Sequence, residues 1–153
     1  IMEAQYQLAK IISGPGASTE DIKEAVTLYD KAAQRGDGRS QLILGIYFDD
    51  GSIVPADKRL AETYLVKAAA QEIQDAQFRL GQLYDSGAIK DKDASDALPF
   101  YEAAAKQGHV GAHYFLARLY SAGRGTAQNY PLAVRYYQLP AKKLYMDANW
   151  RLG

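Results

Sequence analysis

His109 and His113 are the only two histidines in the chain, four residues apart. On a helix that spacing puts both rings on one face, the start of a metal grip. His109, however, follows Gly108 in a turn between predicted helices, and no glutamate stands between the pair as in a zinc-protease helix. Surface imidazoles without a metal are the expectation. Asp91, Asp93 and Asp96 form an acidic group interleaved with Lys90 and Lys92. An acid–base pair needs a buried setting that perturbs its pKa values, and flanking lysines point instead to a solvated turn ending in a helix cap. Gly123-Arg124-Gly125-Thr126 lacks the Gly-Lys-Ser/Thr ending of a phosphate loop, and Gly14-Pro15-Gly16 likewise reads as a turn. No Gly-x-Ser-x-Gly elbow occurs. With no cysteine, the chain has no disulfide, thiolate nucleophile or cysteine-ligated zinc. We therefore expect no catalytic residue, no metal and no cofactor.

The elements that would carry these residues follow from a repeat. Leu44-Gly45 and Leu80-Gly81 are 36 residues apart, and further steps of 36 reach Leu8-Ala9, Leu116-Ala117 and Leu152-Gly153. A small residue stands four before each leucine: Ala4, Ser40, Ala76, Ala112 and Ala148. Four after it stand Ile12, Phe48, Tyr84 and Tyr120, and seven after it Pro15, Gly51, Gly87 and Gly123. The second half of each unit keeps the same register through Ala25, Ala61, Ala97 and Ala133, with Tyr29, Leu65, Tyr101 and Tyr137 four residues later. Small pairs then follow at Ala32-Ala33, Ala68-Ala69, Ala104-Ala105 and Pro140-Ala141. Asp21, Asp57, Asp93 and Asn129 are the expected N-caps.

Each unit reads as two helices. Ala76, Leu80, Leu83 and Tyr84 share one helical face, and Gly87 stops that helix. Asp93 opens the next, with Ala97, Tyr101, Ala104 and Ala105 on one face. Gly36 and Gly108 close the second helix in two units; Glu72 and Leu144 stand there in the others, where different turns are expected. The small residues let helices approach while Leu and Tyr fill the hollows beside them. A lone helix pair cannot bury its apolar face, but stacked pairs can. The expected fold is all-α: a right-handed superhelical solenoid of antiparallel helix pairs. One repeat domain spans 1–153, with units near 1–36, 37–72, 73–108, 109–144 and the start of a fifth at 145–153. Because the chain stops mid-pattern at Trp150-Arg151-Leu152-Gly153, it reads as part of a longer protein.

Ala76 to Gly87 and Asp93 to Gly108 carry A-x-x-x-L-G-x-x-Y-x-x-G and D-x-x-x-A-x-x-x-Y-x-x-A-A-x-x-G. This pattern resembles the Sel1-like repeat; the related tetratricopeptide repeat has a 34-residue period and a closing proline. The resemblance implies a non-catalytic scaffold for other proteins. A narrower resemblance, carried by Asp50-Gly51-Ser52-Ile53-Val54-Pro55-Ala56-Asp57, Ala61-Glu62, Lys67-Ala68-Ala69-Ala70, Leu8-Ala9-Lys10 and Ser121-Ala122-Gly123-Arg124-Gly125, is to the AlgK-type scaffold lipoproteins of bacterial alginate export. It implies a periplasmic, outer-membrane-associated assembly factor bridging an outer-membrane porin and periplasmic polysaccharide-modifying proteins, with any lipid anchor outside these residues. The alternatives are a Sel1-like adaptor in signalling or protein quality control, for which a cytoplasmic location is expected, and the docking module of a larger enzyme.

In the tetratricopeptide family the residue two before the conserved leucine points into the concave groove. Here that position holds Tyr6, Leu42, Phe78, Tyr114 and Trp150, an apolar and mostly aromatic stripe suited to docking a partner. Two residues after the leucine stand Lys10, Ile46, Gln82 and Arg118, and five after it Asp49, Asp85 and Ser121, polar groups for specificity. The competing reading is that the stripe is core. The 18 basic and 18 acidic residues cancel, which argues against nucleic acid as the main partner. Hydrophobic residues at 48% and charged residues at 24% are ordinary for a packed globular chain, and no apolar run reaches the length of a membrane helix.

Overall fold

The computed structural model describes the backbone of residues 1–152 and side chains through Lys143. The described residues form eight helices and no strand: α1 (Met2–Ile12), α2 (Thr19–Gln34), α3 (Gly38–Asp50), α4 (Lys58–Ala69), α5 (Gln74–Asp85), α6 (Ala94–Lys106), α7 (Val110–Ala122) and α8 (Tyr130–Leu152). The starts of α3, α5 and α7 are 36 residues apart, as are those of α4, α6 and α8. The all-α fold of repeated helix pairs is as the sequence predicts. The helices form two compact units, Ile1–Arg79 and one from Leu80 onward, so α5 contributes to both.

Helix starts follow from capping. Asp57 and Asp93 are N-caps, accepting from Leu60 N and Ser95 N, and Asn129 Oδ1 accepts from Leu132 N at 3.0 Å. The expectation for Asp21 needs correction. Ser18 is the N-cap, and Asp21 is its capping-box partner, taking the Ser18 N–H at 2.8 Å while Ser18 Oγ accepts from Asp21 N at 3.2 Å. That reciprocal box satisfies two free amides and starts α2 three residues earlier than the repeat register implies.

Helix ends follow from the left-handed conformation. Gly51 and Gly123 cap α3 and α7 with φ of 70° and 64°. The turn at Glu72 does not differ from its glycine counterparts as expected. Glu72 adopts φ 59° and donates to Ala69 O at 3.0 Å, as Gly36 donates to Ala33 O at 3.0 Å and Gly108 to Ala105 O at 2.8 Å. The closing geometry of the repeat overrides a cost of about 1–2 kcal/mol for a Cβ in that region. At Leu144 the expected turn is not formed, and α8 runs on to Leu152. Leucine favours the helix and carries the same left-handed penalty, so propagation wins there.

In the first unit Ala9, Ala25, Tyr29, Ala33 and Leu44 form the buried centre, with Tyr6, Ile12, Val26, Ile43, Tyr47, Phe48 and Tyr64 packed around it. Tyr29 lies 6.1 Å from Tyr6 and 6.4 Å from Tyr47, and Phe48 stacks on Tyr64 at 5.9 Å. In the second unit Leu80, Leu83, Ala97, Tyr101, Ala104, Leu116, Ala117 and Ala133 are buried. Close approach explains the Leu-Gly pairs. A Cβ on Gly45 would stand 2.7 Å from Leu65 Cδ2, and one on Gly81 2.7 Å from two carbons of the Tyr101 ring.

Candidate partner-binding face

The stripe lies on the first helix of each unit, and the helical period explains its exposure. Two residues separate it from the buried leucine row, a rotation of about 200° at 3.6 residues per turn. Leu44, Leu80 and Leu116 are buried, whereas Tyr6, Leu42 and Phe78 are half-buried and Tyr114 is 44% exposed. The stripe is thus neither core nor fully solvated. Trp150, its predicted fifth member, lies outside the described side chains.

In the first unit Tyr6 packs under the Arg39 guanidinium, whose central carbon is 4.0 Å from the ring centroid. Arg39 also pairs with Glu3 at 2.5 Å and Asp37 at 2.8 Å. These contacts place a cation on the stripe that the aromatic positions alone do not reveal. A signal was present in the sequence, since Glu3 and Arg39 occupy the same repeat position with opposite charge. Hydrogen bonds from Arg39 and then Gln7 hold the Glu3 carboxyl down to about 2. Lys10 is exposed and Ile46 half-buried. Asp49 is engaged by Lys58 Nζ at 2.7 Å.

In the second unit the stripe residue joins an aromatic group. Tyr114 meets Phe115 at 5.7 Å and Tyr137 at 6.0 Å, both nearly edge to face. Arg118 lies 5.8 Å from the Tyr114 ring and 5.7 Å from that of Phe115. Asp85 pairs with Arg124, and a small pocket is lined by Asp85, Phe115, Arg118, Leu119, Ala122 and Arg124. Gln82 is half-buried, and Ser121 Oγ donates to Arg118 O at 3.0 Å. Arg124 was assigned only to a turn by its sequence. Gly123 and Gly125 do take positive φ there, and the turn delivers the guanidinium to Asp85. Tyr137 was passed over because it belongs to the packing pattern, and Phe115 because its repeat position holds Gln7, Ile43 and Arg79 and so gives no periodic signal.

The remaining candidate chemistry has structural uses. His109 is the N-cap of α7, its Nδ1 accepting from Ala112 N at 3.1 Å, and His113 sits edge-on to Tyr136 at 5.7 Å. Among the described residues no group of three His, Asp or Glu side chains could hold a metal. Asp93 and Asp96 form the capping box of α6, and the Ser95 hydroxyl and amide hold the Asp93 carboxyl below the usual carboxylate range.

Paired helices in register, with a large, partly exposed apolar residue at the same position of each first helix through α7, define a helical repeat protein. The Sel1 repeat model matches residues 3–37, 38–72, 74–109 and 110–143, and the chain belongs to the Sel1 repeat family. Sel1 repeats are protein-interaction modules, generally non-catalytic scaffolds, so protein partners are implied. Among solved structures, c5321, a protective antigen of uropathogenic Escherichia coli strains displaying an SLR fold, is similar at 26% identity and TM-score 0.86. The match covers 94% of this chain and 31% of that one. A Sel1 repeat protein from Oxalobacter formigenes is similar at 28% identity and TM-score 0.82, over 94% of this chain and 58% of that one. Cysteine rich protein B of Helicobacter pylori shares the fold at 24% identity and TM-score 0.59, over 84% and 92% of the two chains. This chain spans only about a third of the first structure's length and somewhat over half of the second's. A search of curated proteins gives no significant match.

Proposed function

We propose that the chain is a non-catalytic scaffold whose first helices dock a partner protein along Tyr6, Leu42, Phe78 and Tyr114. The observation that carries this reading is the recurrence of a large, partly exposed apolar residue beside a leucine row that is buried from the second unit on. Aromatic anchors with charged neighbours such as Arg39 and Arg118 supply apolar contact and orientation together. We further propose that the setting is the periplasm, where the scaffold serves exopolysaccharide (alginate) assembly and export by bridging an outer-membrane porin and polysaccharide-modifying proteins. Support for this narrower reading is the turn from Asp50 to Asp57 and the other segments that resemble alginate-export scaffolds.

Affinity capture with the intact protein tests both levels. Under the proposal, wild type retains a specific partner, and Phe78→Ala and Tyr114→Ala each weaken its binding at least tenfold. Both variants should lose less stability than Leu80→Ala, for which about 2–5 kcal/mol is expected at a fully buried leucine. Undiminished binding by both variants rejects the stripe. A partner set without envelope proteins, recovered from the cytoplasm, rejects the export role and leaves the scaffold reading in place.

A further inference from the structure

Three positions around one recess break the repeat. Phe115 stands where the earlier units carry Gln7, Ile43 and Arg79, and Arg118 where they carry Lys10, Ile46 and Gln82. Arg124 stands where they carry Gly16, Ser52 and Ala88. Stacking of helix pairs fixes the columns that recur, and these three do not recur, so stacking does not account for them. With Asp85, Leu119 and Ala122 they line a recess of about 70 Å³ formed by the end of α5, by α7 and by the turn after it. That is room for a few water molecules, and so for a carboxylate and its methylene but not for an aromatic ring. α7 packs on both α6 and α8, so the recess belongs to an interior helix of the stack.

Two guanidiniums and one carboxylate meet at this recess. Arg124 is engaged by Asp85, pairing with its carboxylate and donating to its backbone oxygen at 3.4 Å. Arg118 is exposed and has no carboxylate partner among the described residues. It lies instead against two rings, 5.7 Å from the Phe115 centroid and 5.8 Å from that of Tyr114. Phe115 is stacked on the fully buried Tyr101 at 5.4 Å, so the platform beside the guanidinium is fixed. A guanidinium resting on a ring keeps its N–H groups at the edge, where they match a carboxylate with two parallel hydrogen bonds. Leu119, 3% exposed, makes one wall apolar, which excludes water and strengthens a charge pair. The recess therefore keeps one positive charge that the chain itself does not neutralise. We propose that it takes the carboxylate of an aspartate or glutamate side chain of the partner protein, with an apolar side chain of the same segment against Tyr114. This rests on the docking role proposed above and adds the chemistry of the partner: an apolar residue followed or preceded at fixed distance by an acid.

Selection of random peptides on the intact chain tests this. The peptides are displayed with their C-termini fused, so any carboxylate recovered belongs to a side chain. The expected set carries Asp or Glu at a fixed distance from an apolar residue. Selection on Arg118→Gln should keep the apolar residue and lose the acid. Gln82 holds the same repeat position, so this variant suits the fold and should keep the helical spectrum of wild type. A synthetic peptide from the wild-type set should bind Arg118→Gln about tenfold more weakly, as for loss of a hydrogen bond between charged groups. Changing its acid to the amide should weaken wild-type binding equally, and the two changes together should cost no more than either alone. Peptides with a recurrent apolar residue and no recurrent acid overturn the inference and leave the docking stripe in place. So do acids that persist on Arg118→Gln, since another cation then holds them. A chain that retains no peptide rejects the docking role, and this inference with it.

Discussion

Glycine within a helix ordinarily weakens it, so replacing one by alanine should stabilise by about 1 kcal/mol. Gly81 should do the opposite. Its added Cβ would lie 2.7 Å from Cδ1 and Cε1 of Tyr101 and 3.2 Å from Cγ. That is about 1 Å inside an ordinary carbon contact. Tyr101 has little room to retreat, being fully buried and stacked on Phe115 with ring planes 24° apart. Overpacking of this kind costs about 1–3 kcal/mol. Ala9 and Ala117 hold the same repeat position, so the fold takes a methyl where the helices are spaced for it, and the cost at Gly81 belongs near the middle of that range, about 2 kcal/mol. Set against the propensity gain, Gly81→Ala should lose about 1 kcal/mol net. At a urea dependence of about 2 kcal/mol/M, the unfolding midpoint should fall by about 0.5 M with an unchanged slope. A midpoint that rises would show that close helix approach is not what selects glycine here.

Asp37 accepts from Ser40 N at 2.9 Å and Ser40 Oγ at 2.6 Å, so Asp37→Ala should cost about 1–2 kcal/mol in the same assay. The acid limb should be steep. Glu3 is held low chiefly by Arg39, Asp21 by Ser18 and Asp93 by Ser95, while Asp37 is lowered by Ser40 and Arg39 although burial pushes it up. Depressed carboxyls stabilise fully above the unfolded value of about 4 and lose that contribution as pH falls through their folded values. The urea midpoint should therefore drop from about pH 4 downward, and Arg39→Ala should shallow that drop. On the alkaline side, burial and then the hydrogen bond to Asp30 at 2.6 Å push the Tyr64 phenol up to about 12. Its contribution is complete below about pH 10 and lost as pH rises past it; Tyr64→Phe should cost about 1 kcal/mol at pH 7 and remove that share of the alkaline decline.

The register of the helix pairs was legible because each signal acts over a few residues. Leu44-Gly45 and Leu80-Gly81 mark close approach, Asp57 and Asp93 satisfy free amides one turn away, and Gly51 and Gly123 accept a backbone form that a Cβ resists. Ser18 was passed over in favour of Asp21 because reading one capping column hid the reciprocal partner three residues earlier. Glu72 went wrong for the opposite reason, since a glycine preference weighs about 1–2 kcal/mol and the packing of the flanking helices outweighed it.

The sequence by itself determined the kind of element, the 36-residue period and the face of each helix that goes inward, because those depend on local sterics and hydrophobic spacing. Tertiary structure decided which stripe residues keep an exposed edge, and that Arg39 covers Tyr6 and Arg124 meets Asp85. Burial and ion pairing depend on what a neighbouring helix places within a few ångströms, and no spacing along one chain segment encodes that distance.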